Sequence, residues 1–272
     1  MKSYKKVLTI AGSDSGGGAG IQADLKTFSS LGCYGTSVIT AITAQNTMGV
    51  SAIHPVPPEI IEKQIHAVLS DIGTDSIKIG MLLSAEIIKT VANTLIKFRM
   101  KKIVLDPVMV ATSGDKLIED NTFHALTEYL FPLAAIITPN IPEAEILTGI
   151  KIRNKDDMIA SALKLLDFGS KSVLLKGGHL TEDVLYDIYI SEGKKDNIRI
   201  FKNKKIHTNN VHGTGCTLSS AIASFMAHGE ETEIAVEKAI AYLQGAIEQG
   251  KNYRTGQGNG PVNHFFNPQK LL

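Results

Sequence analysis

The segment 211–218 places two glycines, a hydroxyl and a thiol directly before an apolar pattern of helical spacing. A glycine-rich turn that opens a helix leaves backbone amides unpaired at the positive end of the helix dipole, where anions bind. Gly213, Thr214 and Gly215 are therefore candidate anion ligands, and the same field is expected to lower the pKa of the Cys216 thiol. The alternative is a tight turn in which Cys216 is a small buried hydrophobe.

Further candidate residues follow the last apolar residue of several predicted strands. Asp106 and Glu143 offer carboxylates that suit Mg²⁺ held largely through water and phosphate oxygens. Lys176, which precedes two glycines, could reach a phosphate as a compact charge. Asn140 and Glu143 also have the spacing of a helix capping box. Asp106 could equally be an ordinary strand end, and Lys176 a surface lysine at a turn.

The glycine-dense loop 12–20 matches neither common nucleotide-binding motif. It lacks the G-x-G-x-x-G register, no acidic residue occurs between Asp24 and Glu59, and no Gly-Lys-Ser/Thr follows. The remaining functional interpretation is a loop over a small substrate, which glycines allow the backbone to approach closely, and a flexible turn is the alternative. His179 and His212 have no further His or Cys at ligand spacing, so both are interpreted as turn residues.

Short apolar runs alternate with amphipathic patterns along the chain. Strands are predicted over residues 7–11, 37–43, 77–79, 103–105, 135–138 and 173–175. Helices are predicted over residues 21–31, 59–69, 85–98, 123–130, 158–168, 215–228 and 233–250. This alternation implies an α/β fold with a mainly parallel sheet covered on both faces, and ligands bind such sheets at the carboxyl ends of the strands. Residues 183–192 and 198–206 instead predict an antiparallel hairpin, and the absence of a linker predicts one domain over 1–272.

The composition excludes several classes of protein. With 43% hydrophobic residues, the 272-residue chain has ample material for a core, and a formal net charge of +1 offers no field that would hold a nucleic acid. No segment approaches the apolar length that crosses a bilayer, so no membrane contact is expected. Two cysteines, Cys33 and Cys216, and no visible secretory leader predict a reducing, cytoplasmic location.

Taken together, the motifs resemble the hydroxymethylpyrimidine/phosphomethylpyrimidine kinases of thiamine biosynthesis, a branch of the ribokinase-like superfamily. The resemblance covers nearly the whole chain and is carried by residues 10–14, 17–27, 43–47, 78–82, 106–109, 113–115, 138–144, 176–179 and 212–218. Most ribokinase-like enzymes carry an Asp as base where Cys216 stands, and a cysteine there is similar to the pyrimidine and pyridoxal kinases. The departures are Ser15-Gly16, where family members often have Pro-Ser, and Val211, where Thr is frequent.

The resemblance implies a three-layer α/β/α sandwich and a reaction. ATP would phosphorylate the hydroxymethyl group of 4-amino-5-hydroxymethyl-2-methylpyrimidine, and a second transfer would make the diphosphate. By the same resemblance, Gln45 would hydrogen-bond the aminopyrimidine, while Gly12, Asp24, Met81 and Val108 would shape its pocket.

The phosphate-handling residues implied by the resemblance are those that the motifs had already singled out. Asp106 and Glu143 would organise Mg²⁺, and Cys216 would accept the substrate proton. Lys176 and Asn140 would hold the ATP phosphates, and the anion hole would consist of Gly213, Thr214 and Gly215. A homodimer is also a family expectation.

Two competing functions have to be separated from this one. Pyridoxal kinase activity, alone or as a second activity, is the nearer rival because the cysteine-containing motif occurs there too. A sensor that binds the pyrimidine without catalysis belongs to another class, and the intact set of Lys176, Asn140, Glu143 and glycines speaks against it. Phosphate transfer to the pyrimidine alcohol, its monophosphate and pyridoxal would discriminate among these functions.

Overall fold

The computed structural model describes residues 3–109, 122–178, 184–194 and 198–270. Of the features noted above, residues 113–115, His179 and the first residue of the predicted hairpin, at position 183, lie outside the described residues.

Nine strands within the described residues join one sheet. In chain order they are β1 (Lys6–Asp14), β2 (Tyr34–Asn46), β3 (Gly49–Pro55), β4 (Ser76–Ile79), β5 (Ile103–Leu105), β6 (Ile136–Ile137), β7 (Ser172–Leu175), β8 (Val184–Ser191) and β9 (Arg199–Lys204). Their spatial order is β3-β2-β1-β4-β5-β6-β7-β8-β9. Neighbours from β2 to β7 pair in parallel, whereas β3 at one edge and β8 and β9 at the other pair antiparallel. The predicted mainly parallel sheet and the antiparallel hairpin are both confirmed.

Helices connect most of the parallel strands. They are α1 (Gly20–Ser30), α2 (Pro58–Ala67), α3 (Ala85–Lys97), α4 (Thr122–Ala125), α5 (Ile141–Thr148), α6 (Lys155–Leu166), α7 (Thr214–Ala227) and α8 (Thr232–Gly250). Single wider turns at Val68–Ile72 and Leu126–Leu130 continue α2 and α4. No helix in the described part of the chain is both long and apolar enough to span a membrane.

Two apolar cores hold these helices against opposite faces of the sheet. Side chains of α2, α3, α5 and α6 form one core, and those of α1, α7 and α8 form the other. Successive strand residues point to opposite faces, so Leu8 and Ile10 of β1 join the first core while Val7 joins the second. This arrangement confirms the expected α/β/α sandwich. The expectation of a single domain stays a prediction, although all nine described strands share one sheet.

The hydrophobic pattern did not predict β3. This strand pairs antiparallel with β2, but its residues are exposed or half-buried, so it has no buried face to impose a period of two. Backbone hydrogen bonding to β2 places it at the edge of the sheet. By contrast, β4 and β7 are buried at every residue, which is why short apolar runs located them.

Candidate active site

A cleft of about 1360 Å³ opens at the carboxyl ends of the parallel strands. Polar residues at the ends of β1, β5, β6 and β7 line it together, as the parallel topology predicts. Of the residues predicted to form the site, those that line this cleft are Gly12, Gln45, Met81, Val108, Asp106, Asn140, Glu143, Lys176, Gly213, Thr214, Gly215 and Cys216. Asp24 does not line it.

The turn before α7 requires glycine at position 213. Gly213 has a φ of +77°, and a Cβ added there would lie 1.8 Å from the Gly18 carbonyl oxygen. This close approach packs the loop 12–20 against the start of α7. The amides of Gly215 and Cys216 donate to no carbonyl within the described ranges, and both residues line the cleft. The first turn of α7 thus has the donors of an anion site.

Lys176 and Asp106 form an ion pair on the wall of the cleft. Lys176 Nζ lies 2.8 Å from Asp106 Oδ1, and the same oxygen accepts a hydrogen bond of 3.0 Å from the Thr138 hydroxyl. Burial alone would raise the pKa of Asp106, but Lys176 and then Lys78 lower it below its ordinary value. Burial would likewise lower the pKa of Lys176, yet Asp106 keeps it raised. A Cβ on Gly215 would lie 3.3 Å from the ammonium, so this pair adjoins the α7 turn.

Asn140 and Glu143 form the capping box at the start of α5. The Asn140 side-chain oxygen accepts from the Glu143 amide at 2.9 Å, and Glu143 Oε2 accepts from the Asn140 amide at 2.8 Å. The helix capping box that the spacing of Asn140 and Glu143 predicts is therefore present. Both residues also line the cleft, so the cap does not remove them from the site. Burial and then the charge of Asp106 raise the pKa of Glu143 to about 7, against the lowering effect of Lys176. Glu143 thus titrates near neutral pH.

The expected lowering of the Cys216 pKa is wrong for this structure. Burial raises the pKa of the thiol to about 11, although the positive charge of Lys78 and the Gly20 amide act in the opposite direction. Desolvation of a thiolate outweighs the field of the helix terminus. The residue is half-buried and lines the cleft, with the Gly20 amide beside its sulfur. Asp24 and Asp106 add negative charge nearby and raise the value further.

Asp24 lies beneath the cleft, which corrects the expectation that it would shape the substrate pocket directly. Its side chain and that of Lys78 are fully buried, with Lys78 Nζ 2.9 Å from the carboxylate. Thr9 and Ser220 donate to the same carboxylate at 2.6 and 2.7 Å. Lys78 lines the cleft, so Asp24 acts on the site through this lysine. A Lys inside the apolar run Ile77–Ile79 was the sequence signal for such a pair.

The other predicted substrate residues also line the cleft. The Met81 side chain covers Gly12 so closely that a Cβ on Gly12 would lie 2.3 Å from the Met81 methyl carbon. Gln45 Oε1 accepts a hydrogen bond from the Thr43 hydroxyl at 3.2 Å. Gln45, Met81 and Val108 all line the cleft with uncharged side chains, and we term them together the Gln45 pocket.

A histidine–carboxylate pair that the sequence did not predict also lines the cleft. His212 Nε2 lies 2.8 Å from Asp14 Oδ2, and their side chains are 12% and 3% exposed. The two residues are 198 positions apart in sequence, and no local pattern joins them. His212 is therefore a partner of a buried carboxylate as well as a turn residue.

Fold and site together define a class of protein. A ribokinase-like α/β/α sandwich whose cleft is lined by a glycine-rich helix start, a buried lysine and two carboxylates is that of a phosphotransferase that uses ATP. The chain belongs to the phosphomethylpyrimidine kinase family, whose model matches residues 14–263.

Known relatives agree with this assignment. The chain is 50% identical over 260 residues to a thiamine biosynthesis bifunctional protein, ThiED, of Geobacter sulfurreducens, covering 96% of this chain and about half, 52%, of that relative's length. It is 49% identical to a hydroxymethylpyrimidine/phosphomethylpyrimidine kinase of Rhizobium meliloti, covering 95% of this chain and 96% of the relative. The pyridoxal kinase of Staphylococcus aureus in complex with AMP-PCP and pyridoxal superposes with a TM-score of 0.87 at 37% identity, over 97% of this chain and 94% of that one.

Proposed function

We propose that this chain transfers the terminal phosphoryl group of ATP to the hydroxymethyl group of 4-amino-5-hydroxymethyl-2-methylpyrimidine, and then phosphorylates the monophosphate. The observation that carries the proposal is one cleft that is lined both by the turn before α7 with Lys176 and by Gln45, Gly12 and Met81. Cys216 lines the same cleft, at the start of α7. The relative from Rhizobium meliloti, matched over nearly its whole length, is named for this pair of reactions.

The chain's own groups supply positioning and charge. Phosphoryl transfer spreads charge over the moving group, so preorganised donors do most of the work. In the proposed complex the amides of Gly215 and Cys216 hold the terminal phosphate, and Lys176 and Asn140 hold phosphate oxygens. The hydroxyl of the substrate gives its proton to the sulfur of Cys216 in its thiolate form.

The carboxylates of Asp106 and Glu143 fit a magnesium ion. Both line the same part of the cleft, and the raised pKa of Glu143 comes in part from the charge of Asp106, which a cation would offset. Oxygen ligands of this kind suit Mg²⁺ that keeps several waters and binds phosphate. When bound, the ion would neutralise charge on the phosphate groups. A homodimer and a cytoplasmic location also stay predictions.

Phosphate transfer from ATP to three acceptors tests the proposal. We expect turnover of the pyrimidine alcohol and of its monophosphate. The similarity to a pyridoxal kinase makes pyridoxal the second candidate substrate. Turnover of pyridoxal alone would replace the proposed function, and binding of the pyrimidine without ATP consumption would favour the sensor.

Replacing Cys216 by alanine is expected to lower kcat by more than about tenfold and to change ATP affinity little, because a general base contributes roughly 10² to 10⁴ in rate. With a thiol pKa of about 11, the wild-type kcat should also rise with pH between about pH 6 and pH 9, as the thiolate fraction grows. Steady-state rates of both proteins across that range check the prediction. Near-normal turnover of the alanine variant, or parallel pH profiles, would remove the assignment of Cys216 as proton acceptor.

The variant Glu143→Gln should be more heat-stable than the wild type at about pH 8 and equal to it at about pH 4. The pKa of Glu143 is raised from 4.5 to about 7, so its contribution to stability is present below 4.5 and is lost as pH rises through 7. Glutamine keeps an oxygen that accepts from the Asn140 amide, so the capping box survives. Melting temperatures at the two pH values measure the effect. A constant difference between the proteins would show that Glu143 does not titrate in this range.

A further inference from the structure

The Asp14 carboxylate occupies the amides of the glycine-dense loop. Asp14 Oδ1 accepts from the Gly16 amide at 2.7 Å, and Oδ2 accepts from the amides of Gly18 and Ala19 at 3.1 and 2.8 Å. Such amides can bind a phosphate in a glycine-rich loop, but here they donate to the Asp14 side chain instead. Burial would raise the pKa of Asp14, but the hydrogen bonds from His212 and from these amides outweigh it, and the pKa is lowered. The carboxylate is therefore ionised and acts only as an acceptor.

The imidazole of His212 contacts both this carboxylate and the side-chain amide of Gln45. Because the Asp14 carboxylate can only accept, the His212 nitrogen 2.8 Å away, Nε2, carries a proton and donates it. Gln45 Nε2 lies 3.5 Å from the same imidazole nitrogen. Two donors cannot hydrogen-bond each other, so the hydrogens of Gln45 Nε2 are left for a different acceptor. The Gln45 oxygen lies 3.2 Å from the Thr43 hydroxyl, which also donates to the Ser13 carbonyl at 2.9 Å.

Packing fixes the imidazole in this position. A Cβ added to Gly18 would lie 2.3 Å from His212 Cδ2, so the loop backbone lies directly against the ring. The His212 amide donates to the Gly260 carbonyl at 3.0 Å, which anchors the residue from its other side. These two contacts hold the ring beside Asp14.

We propose that His212 is a specificity-determining positioning residue: by satisfying Asp14, it keeps the amide of Gln45 free to donate to a ring nitrogen of the substrate. This inference rests on the proposed function, since it assigns a substrate contact to the Gln45 pocket. Without the imidazole, Gln45 Nε2 is a neighbouring donor that can turn to the position on Asp14 Oδ2 that His212 vacates. It would then be lost to the substrate, because a buried carboxylate is a stronger acceptor than a neutral ring nitrogen.

The test is a pair of variants measured against a pair of ligands. His212→Leu removes the donor, and His212→Gln keeps an N–H that can reach Asp14. The ligands are the aminopyrimidine alcohol and its deaza analogue, in which the ring nitrogen next to the amino-bearing carbon is replaced by CH. Titration calorimetry measures the Kd of each ligand for each protein, and melting temperatures verify that each variant is folded.

We expect the wild type to bind the pyrimidine about tenfold more tightly than the deaza analogue, as one hydrogen bond allows. In His212→Leu the two Kd values should converge to within about threefold, whereas His212→Gln should restore the preference. An equal weakening of both ligands, with the preference intact, would show a merely structural role and overturn the inference. A wild type that prefers the pyrimidine but does not phosphorylate it overturns the proposed function alone, and a wild type that binds neither ligand overturns both.

Discussion

Replacing Lys176 by alanine is expected to lower kcat/KM for ATP by about 10² to 10³-fold, the loss seen when one preorganised stabilising group leaves an active site. Lys176 lies beside the start of α7, since a Cβ on Gly215 would lie 3.3 Å from its ammonium. Its loss also leaves the Asp106 carboxylate without its ion-pair partner, and that uncompensated charge repels phosphate. Initial rates over a range of ATP concentrations, with the second substrate saturating, measure the effect.

Lys151→Ala is the matched control for Lys176→Ala. Lys151 pairs with Glu145 at 2.7 Å, as Lys176 does with Asp106 at 2.8 Å, but its side chain is 71% exposed and does not line the cleft. We expect its ATP kinetics to stay within about twofold of wild type, because exposed pairs contribute little. Binding of a nonhydrolysable ATP analogue separates a loss of affinity from a loss of rate. If Lys176→Ala kept wild-type ATP kinetics, the assignment of this lysine to the phosphates would be wrong.

Replacing Asp24 by asparagine is expected to destabilise the fold by about 3 to 5 kcal/mol, the cost of breaking a buried ion pair on one side. The ammonium of Lys78 would stay fully buried with an amide in place of its carboxylate. For a chain of this size, that loss corresponds to a fall in melting temperature on the order of 10 °C. Thermal or urea unfolding of the purified variant measures it. Asp24 is outside the cleft lining, so the predicted defect is in stability before it is in substrate contact.

Two further variants make the Asp24 prediction specific. The double variant Asp24→Asn/Lys78→Met replaces the ion pair by neutral groups of similar size and should recover most of the lost stability. Glu62→Ala breaks the exposed Lys97–Glu62 pair, 3.1 Å long, and should cost less than about 1 kcal/mol. A single variant as stable as the wild type, or a double variant no better than the single one, would show that Lys78 does not carry a buried charge that depends on Asp24.

Much of the fold and the composition of the cleft could be predicted from the sequence. Buried parallel strands show as apolar runs because both of their faces are covered, and their carboxyl ends meet at one edge whatever the details of packing. Asp106, Asn140 and Lys176 therefore converge as expected, since each follows such a run. The edge strand β3 was missed because it has no buried face that would leave a pattern.

The sequence by itself thus determined the order of the elements, the family and the side of the sheet on which the site lies. Only the tertiary structure decided the electrostatics of that site. Burial, which no single segment encodes, reversed the expected direction of the Cys216 pKa. It also placed Asp24 below the cleft with Lys78, and joined Asp14 to His212 across 198 positions. Local patterns report which face of an element is apolar, whereas the desolvation and pairing of a charge depend on what the rest of the chain brings to it.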